Sequence, residues 1–274
     1  EQSIADLEQL RRDATVGAAS ASTPPLPTTG TQKAPSKRKK EGIFYTPPFI
    51  TSYIVRQTLG QTIADAWERS GAGRAENKRD RIEGWESYRS QLRLIRVLDP
   101  ACGSGAFLIA AFDALAQEFA RVNRALAELR GQREQTSLFD LTRTVLNENL
   151  FGIDKSVESV EITKLSLWLK TAERGKKLTF LDRNIRHGNS VVSDPTVDPW
   201  AFDWKAGQVA RSFMEVEVPA GEDADVIASR WRDGFDVVIG NPPYVRSELL
   251  TDYKEHWRSS FQLFDGVADL FVYF

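Results

Sequence analysis

The sequence predicts an α/β fold with a doubly wound, mostly parallel sheet. Three apolar runs carry the prediction, Leu94–Leu98, Leu150–Asp154 and Phe235–Gly240. Each ends in a turn rich in Gly, Asp or Pro, and the first two lead on into an amphipathic helix. In open parallel sheets, ligands bind at the C-terminal strand edges. Asp99, Asp154 and Asn241 stand at those edges and are the first candidates for a site.

From the N-terminal side, Thr46 to Trp67 reads as a helix entered through Pro47 and Pro48, and Gly71 to Asp80 as a polar loop. Leu94–Leu98 then runs into Asp99-Pro100-Ala101-Cys102-Gly103-Ser104-Gly105, and a long helix follows from Ala106 to about Leu129. Glycines at 103 and 105 let a ligand approach the backbone, and the helix start offers unpaired N–H groups. The dinucleotide fingerprint G-x-G-x-x-G fits poorly, because Leu108 stands where its last small residue belongs. An opening Asp would also repel a pyrophosphate. A ligand with an ammonium and a carboxylate suits the loop better, Asp99 taking the amine and the loop amides the carboxylate. S-adenosylmethionine has such an end. The bare pattern also serves as an ordinary strand–helix connection.

The second run, Leu150–Asp154, precedes a helix from Ser156 to about Thr171, with Val157, Val160, Leu165 and Leu169 among its apolar positions. Asp154 has two readings: an acceptor for ribose hydroxyls, or an N-terminal cap of that helix. Asn184–His187 reads as a further strand leading into Gly188-Asn189-Ser190. There the Asn189 amide either bonds an adenine edge or closes a turn. After the last run comes Asn241-Pro242-Pro243-Tyr244. Proline lacks an N–H and fixes φ, so this turn is stiff and its carbonyls are unclaimed. The Asn241 oxygen and a main-chain carbonyl suit both hydrogens of an exocyclic NH2, with Tyr244 stacked on the ring that carries it. The competing reading is a plain Asn-Pro turn.

In order, GIFYTP (residues 42–47), DPACGSGAFL, FGIDKS, HGNS, IGNPPY and the terminal Asp269-Leu270-Phe271 resemble the motifs of a gamma-class amino-group DNA methyltransferase. The resemblance covers about Glu41 to Phe274 and is nearest to the methyltransferase part of type II (type IIG-like) restriction-modification enzymes. It implies a Rossmann-like, S-adenosylmethionine-dependent enzyme that methylates N6 of a flipped-out adenine in double-stranded DNA. It implies that Phe44, Tyr45 and Thr46 wall the cofactor site, that Asp99, Pro100, Ala101, Gly103 and Gly105 hold the methionine end, and that Asp154 takes the ribose. Asn189 and Ser190 would then lie near the cofactor's adenine, and Leu270 to Phe274, expected as a strand, would help line that pocket. Asn241, Pro242, Pro243 and Tyr244 would hold the target base. Many members of that family have Asp where Asn189 stands. A neutral amide still accepts from an amino group, so weaker discrimination is expected there rather than loss of cofactor. Three rivals share the NH2 logic or the motifs: methylation of a protein glutamine amide, N4-cytosine methylation (usually with Ser in place of Asn241), and a catalytically idle scaffold in a defence complex.

Composition narrows the chemistry. The single cysteine, Cys102, lies in the Gly loop, away from the NPPY turn, which argues against cytosine-C5 methylation through a thiolate. One Cys and two His do not make a Cys/His zinc site, and no metal is expected. His187 reads as a strand-end histidine. Neither G-x-S-x-G nor a phosphate-binding G-x-x-x-x-G-K-[ST] is present. With 36 basic against 38 acidic residues, a net charge of −2 gives no global pull on phosphate, so DNA contact needs a local basic face or another domain. No stretch approaches a membrane span and no signal peptide opens the chain. Single-cysteine usage suits a reducing bacterial or archaeal cytoplasm.

Residues 1–40 are expected to hold the tail of a preceding helix (Ser3–Arg12) and a flexible linker (Ala14–Lys40), with the catalytic domain over residues 41–274. Asp194–Arg232 reads as an insertion whose Trp200, Phe202, Trp204 and Phe213 pack against the sheet. The chain opens without Met and stops inside an apolar run, so a segment of a longer protein is expected. Target recognition would then lie beyond Phe274, any nuclease before Glu1, and the segment alone would methylate little.

Overall fold

The computed structural model describes residues 46–131, 138–171, 180–204 and 234–274. The chain divides into Glu1–Ser36 and Lys37–Phe274, and every described residue lies in the second unit. Phe44, Tyr45, Phe213 and the helix tail and linker expected over residues 3–40 lie outside the described residues.

Three helices come first, α1 (Pro48–Gln57), α2 (Leu59–Ser70) and α3 (Lys78–Leu94). The single helix expected from Thr46 to Trp67 is thus two. Thr58 breaks it, with ψ at −77° and its hydroxyl donating back to the Ile54 carbonyl at 2.8 Å. Asn77 caps α3 by accepting the Asp80 N–H at 2.9 Å, so that helix starts inside the expected loop. It also absorbs Leu94, because Gly84, Tyr88 and Leu92 recur at helical spacing on its buried face. The first strand, β1 (Val97–Asp99), is correspondingly shorter than the apolar run suggested.

The remaining elements follow the expected alternation. They are α4 (Ala106–Arg130), α5 (Leu138–Thr144) with a π-helical turn at Val145–Asn149, β2 (Leu150–Asp154), α6 (Val157–Thr171), β3 (Ile185–His187), β4 (Val237–Val238) and α7 (Lys254–Ser260). The sheet order is β3-β2-β1-β4 and every pairing is parallel, which is the predicted fold class. The register places Leu98 beside Phe151 and Val238, and Asp154 beside His187.

Two further strands are shorter than expected. Asn184 is excluded from β3 because its side-chain amide donates to the carbonyls of Leu146, Asn147 and Leu150, at 3.0 to 3.1 Å. Around β4, only Val237 and Val238 are strand, although Ile239 N–H still donates to Leu98 at 2.8 Å. The C-terminal run is not a strand. Leu270–Tyr273 is a 3-10 turn, entered at Asp269, whose carboxylate accepts the Ser247 N–H at 2.9 Å.

Strand alternation divides the core. Val97, Leu150 and Val237 join the helical side with Phe107, Leu108, Phe112 and Leu115 of α4. Leu98, Phe151 and Ile153 face the other way, onto Phe202. Fully burying a Phe is worth about 1.5–3 kcal/mol, so Phe202 pins the chain after β3 to the sheet as expected for that insertion. Trp200 and Trp204, expected to pack there too, are exposed. A third cluster joins Val191, Val192 and Ala201 to Leu250, Trp257 and Tyr273, the last two stacked at 4.3 Å. On α6 the expected apolar positions separate: Val160 is buried, whereas Val157, Leu165 and Leu169 are exposed. The inward face carries Thr163, Lys164 and Leu167 instead, because Thr163 and Lys164 bond Gly103 and Asp182.

Candidate active site

The chain leaves β1 for β2 on one side, and β4 lies on the other, so the strand order reverses at β1. In doubly wound sheets a crevice opens at such a point, beyond the strand C-termini. Asp99 ends β1, Asp154 ends β2, and Asn241 follows β4 closely.

Asp99 is buried, and among the described residues its one hydrogen bond is from the Ala101 N–H, at 3.1 Å. Burial pushes its carboxyl up to about 8; the Ala101 N–H pulls it back, and the charge of Asp154 adds to the rise. The Gly loop beyond it is fixed by contacts from two elements. The Gly103 N–H donates to Asp154 Oδ2 at 2.8 Å, and the Gly103 carbonyl accepts the Thr163 hydroxyl at 2.8 Å. Gly105 has φ +83°, and a Cβ there would stand 2.9 Å from Thr163. Asp154 Oδ1 accepts the Ser156 N–H at 2.8 Å, so this carboxylate caps the entry to α6 and anchors the loop together. Cys102 is buried, and burial followed by the charges of Asp99 and Asp154 pushes its thiol well up. It packs in the loop as a thiol.

The turn after β3 is tied to the same loop, since Ser190 Oγ donates to the Pro100 carbonyl at 2.7 Å. Asn189 is buried with both amide ends engaged, Nδ2 donating to Asp198 at 2.8 Å and Oδ1 accepting the Val191 N–H at 3.3 Å. Asp198 also accepts from Lys155 at 2.9 Å, from the Tyr253 hydroxyl at 3.1 Å and from the Trp200 N–H at 2.9 Å. Burial alone would raise this carboxyl. The bonds from Asn189, Lys155 and Trp200, with the Lys155 charge, hold it at about 2. His187 ends β3, its Nε2 meeting the Lys155 carbonyl at 2.9 Å.

Asn241 is half-buried, and its Nδ2 donates to Thr46 Oγ1 at 3.1 Å. The backbone just before it crowds the first carboxylate: a Cβ on Gly240 would stand 2.7 Å from Asp99 Oδ1. Thr46, Asn241, Gly240, Asp99, Pro100 and Ser190 therefore form one continuous line of contacts. Pro242 and Pro243 are half-buried beside it. Tyr244 is 52% exposed, with its ring 5.6 Å from that of Phe271. A groove of about 730 Å³ between α1, α4 and α6 reaches this region only at Thr46, Ser104 and Ala106. Asp99, Asp154 and Asn241 do not line it, so it is not the crevice between them.

Thr163, Gly240 and Asp198 were not singled out from sequence. A threonine on a helix after a candidate carboxylate, a glycine before Asn-Pro and an Asp within an insertion are too common to mark a site. Only the packing distinguishes them.

Residues 148–274 match the family described as Eco57I restriction-modification methylase. A Methanocaldococcus jannaschii protein, named as a candidate type II restriction enzyme and methyltransferase, is 31% identical over 184 residues, covering 57% of this chain and 15% of its own. The type II restriction enzyme and methyltransferase RM.Eco57I of Escherichia coli is 27% identical over 188 residues, covering 61% and 17%. The adenine-specific methyltransferase BrxX of Escherichia coli is 25% identical over 153 residues, covering 52% and 12%. The chain thus spans less than a fifth of the length of these curated relatives. The chain is thus similar to type II restriction-modification methyltransferases and to adenine-specific methyltransferases.

Proposed function

We propose that this chain is the catalytic part of a site-specific DNA methyltransferase. It transfers the methyl group of S-adenosylmethionine to N6 of a flipped-out adenine in double-stranded DNA, within a restriction-modification or related phage-defence system. The observation that carries the reading is the position of Asn241. Its Oδ1 accepts no hydrogen bond among the described residues, and Gly240 immediately before it packs against the Asp99 carboxyl where the strand order reverses. The protein acts in the bacterial or archaeal cytoplasm; no helix among the described residues is long and apolar enough to cross a membrane.

The residues fit the cofactor. Asp99 is a buried carboxyl with a single N–H donor, and an ammonium beside it relieves the burial that raises it to about 8. Asp154, at the end of β2 and bonded to the Gly103 N–H of the Gly loop, is the residue assigned to the ribose hydroxyls. When bound, the cofactor supplies an electrophilic methyl on a sulfonium that departs as a thioether. Asn241 Oδ1 and the Pro242 carbonyl accept the two N6 hydrogens, favour the pyramidal nitrogen whose lone pair forms the new bond, and stabilise its growing positive charge. The surplus proton then passes to water, so no strong general base is needed.

Preorganised dipoles of this kind are worth about 2.7–4 kcal/mol each, and alignment of the reacting atoms about 7–11 kcal/mol, so positioning dominates. Extruding the base costs a few kcal/mol, and stacking on Tyr244 returns about 1–3 kcal/mol of it.

The test is transfer from labelled S-adenosylmethionine to unmethylated DNA by the full-length protein, with the modified nucleoside identified. Asn241→Ala should lower the rate about 10²–10³-fold and leave cofactor affinity within a few-fold. Label on protein would favour the glutamine amide, label on cytosine the N4 variant, and no transfer at all the idle scaffold.

A further inference from the structure

We propose that Arg246 grips a phosphate beside the flipped-out adenine, holding the nucleotide by its backbone while the Asn-Pro-Pro-Tyr turn holds the base. The inference rests on the reading of that turn given above and adds a contact that the overall charge does not supply. With 36 basic against 38 acidic residues the chain exerts no general pull on DNA, so single cations placed at the site have to provide it.

The chain after Tyr244 presents such a cation. Burial alternates along it: Tyr244 and Arg246 are exposed, Val245 between them is half-buried and Ser247 is buried. Arg246 has φ −69° and ψ 145°, so the period of two is that of extended chain, with Tyr244 and Arg246 on one side. The opposite side is fastened. Val245 packs with the cluster of Leu250, Trp257 and Tyr273, its carbonyl accepts the Leu270 N–H at 2.9 Å, and the Ser247 N–H donates to Asp269 at 2.9 Å. Two residues of extended chain advance about 6.5 Å. A base stands from the phosphates of its own nucleotide on that same scale, so stacking on Tyr244 brings the backbone within reach of Arg246.

Arg246 is also uncommitted. Among the described residues it makes no ion pair and no side-chain hydrogen bond. Other cations of the same region are engaged: Lys254 donates to the Gly266 carbonyl at 2.6 Å, Arg258 lies 3.6 Å from Glu255 and over the Phe264 ring, and Lys155 is held by Asp198. A guanidinium carries donors only and stays charged, so an exposed one without an acceptor suits an anion. Its planar fork matches two oxygens of one phosphate.

The test uses the full-length protein and a duplex carrying the site that wild type methylates, read by sequencing treated phage DNA. Arg246→Gln should raise the Kd for that duplex about tenfold to a hundredfold, the equivalent of one hydrogen-bonded charge. The slope of log Kd against log salt concentration should fall by about 0.9, the loss of one phosphate contact. Arg246→Lys keeps the charge without the fork, so it should keep the slope and recover part of the affinity. The Kd for S-adenosylmethionine and the urea midpoint should match wild type in both variants. An uncharged methylphosphonate is then placed on the 5′ or the 3′ side of the target adenine. On one of the two sides it should weaken binding by wild type yet change the Kd of Arg246→Gln by less than about twofold. A Gln variant with wild-type affinity and slope, or one that loses as much as wild type from the neutral group on each side, overturns the inference while leaving the methyltransferase reading intact. A wild-type protein that transfers no methyl group overturns both.

Discussion

Replacing Gly240 by Ala should weaken cofactor binding through a carboxylate in another strand. The added Cβ would stand 2.7 Å from Asp99 Oδ1, 3.5 Å from its Cγ and 3.6 Å from Pro100 Cδ, so the closest approach is about 0.7 Å inside the ordinary contact limit of 3.4 Å. Asp99 is the side that yields. The chain at Gly240 is held in place by the neighbouring Ile239 N–H bond to Leu98, 2.8 Å long, while the carboxyl can turn about its own side-chain bonds. Turning breaks the 3.1 Å bond from Ala101 and takes the oxygen away from the position assigned to the ammonium. Overpacking of this size costs about 1–3 kcal/mol of stability. A misplaced charged hydrogen bond is worth about 1.5–3 kcal/mol, so the Kd for S-adenosylmethionine should rise roughly tenfold to a hundredfold. Calorimetric titration of the full-length variant reads the affinity, and urea unfolding reads the stability. A Kd within twofold of wild type in a variant that has lost stability would refute the placement of the ammonium on Asp99.

The pH dependence of the same group gives an independent check. Because the folded-state carboxyl is raised to about 8, the folded chain keeps a proton that the unfolded chain releases near its ordinary value. The stability from that proton is complete at low pH and is lost as the pH rises to about 8. Asp99→Asn should therefore stabilise the cofactor-free protein more at pH 8.5 than at pH 5, and equal Tm changes at the two pH values would contradict this. Cofactor affinity should fall below pH 8 by up to about tenfold per unit, since binding needs the carboxylate, and Asp99→Asn should flatten that limb; a flat wild-type profile from pH 6 to 8 would count against it. Thr163→Val removes the hydroxyl that holds the Gly103 carbonyl and should cost about 1 kcal/mol in urea unfolding while weakening cofactor binding. Unchanged values for both would mean that Asp154 alone fixes the loop.

How far the sequence could be read depends on the range of the forces involved. Glycine turns, a helix entered through proline and a carboxylate at the end of an apolar run are local devices, so the sequence alone places Asp99, Asp154 and Asn241 at strand edges. Element ends were less legible, because they depend on partners far away in sequence. Leu94 belongs to a helix since Tyr88 and Leu92 already face the core, and Asn184 leaves its strand to serve carbonyls more than thirty residues earlier. The terminal apolar run turns instead of extending because Asp269 meets the Ser247 N–H and Tyr273 finds Trp257.

The same distinction separates the two kinds of site residue. Groups offered to a ligand announce themselves by residue type, whereas groups that aim them do not. Thr163, Gly240 and Asp198 are ordinary residues whose roles exist only in three dimensions. Asn189 shows the consequence for inference from motifs. Its amide has two readings from sequence, an adenine edge or a turn, and in the fold Nδ2 is engaged by Asp198 and Oδ1 by the Val191 N–H. Any contact it makes with a ligand must therefore displace one of those bonds, use the second Nδ2 hydrogen or use the remaining lone pair on Oδ1. The buried carboxylate of Asp198 keeps Nδ2 where it is, so of the two ends of that amide only the oxygen is available to discriminate an amino group.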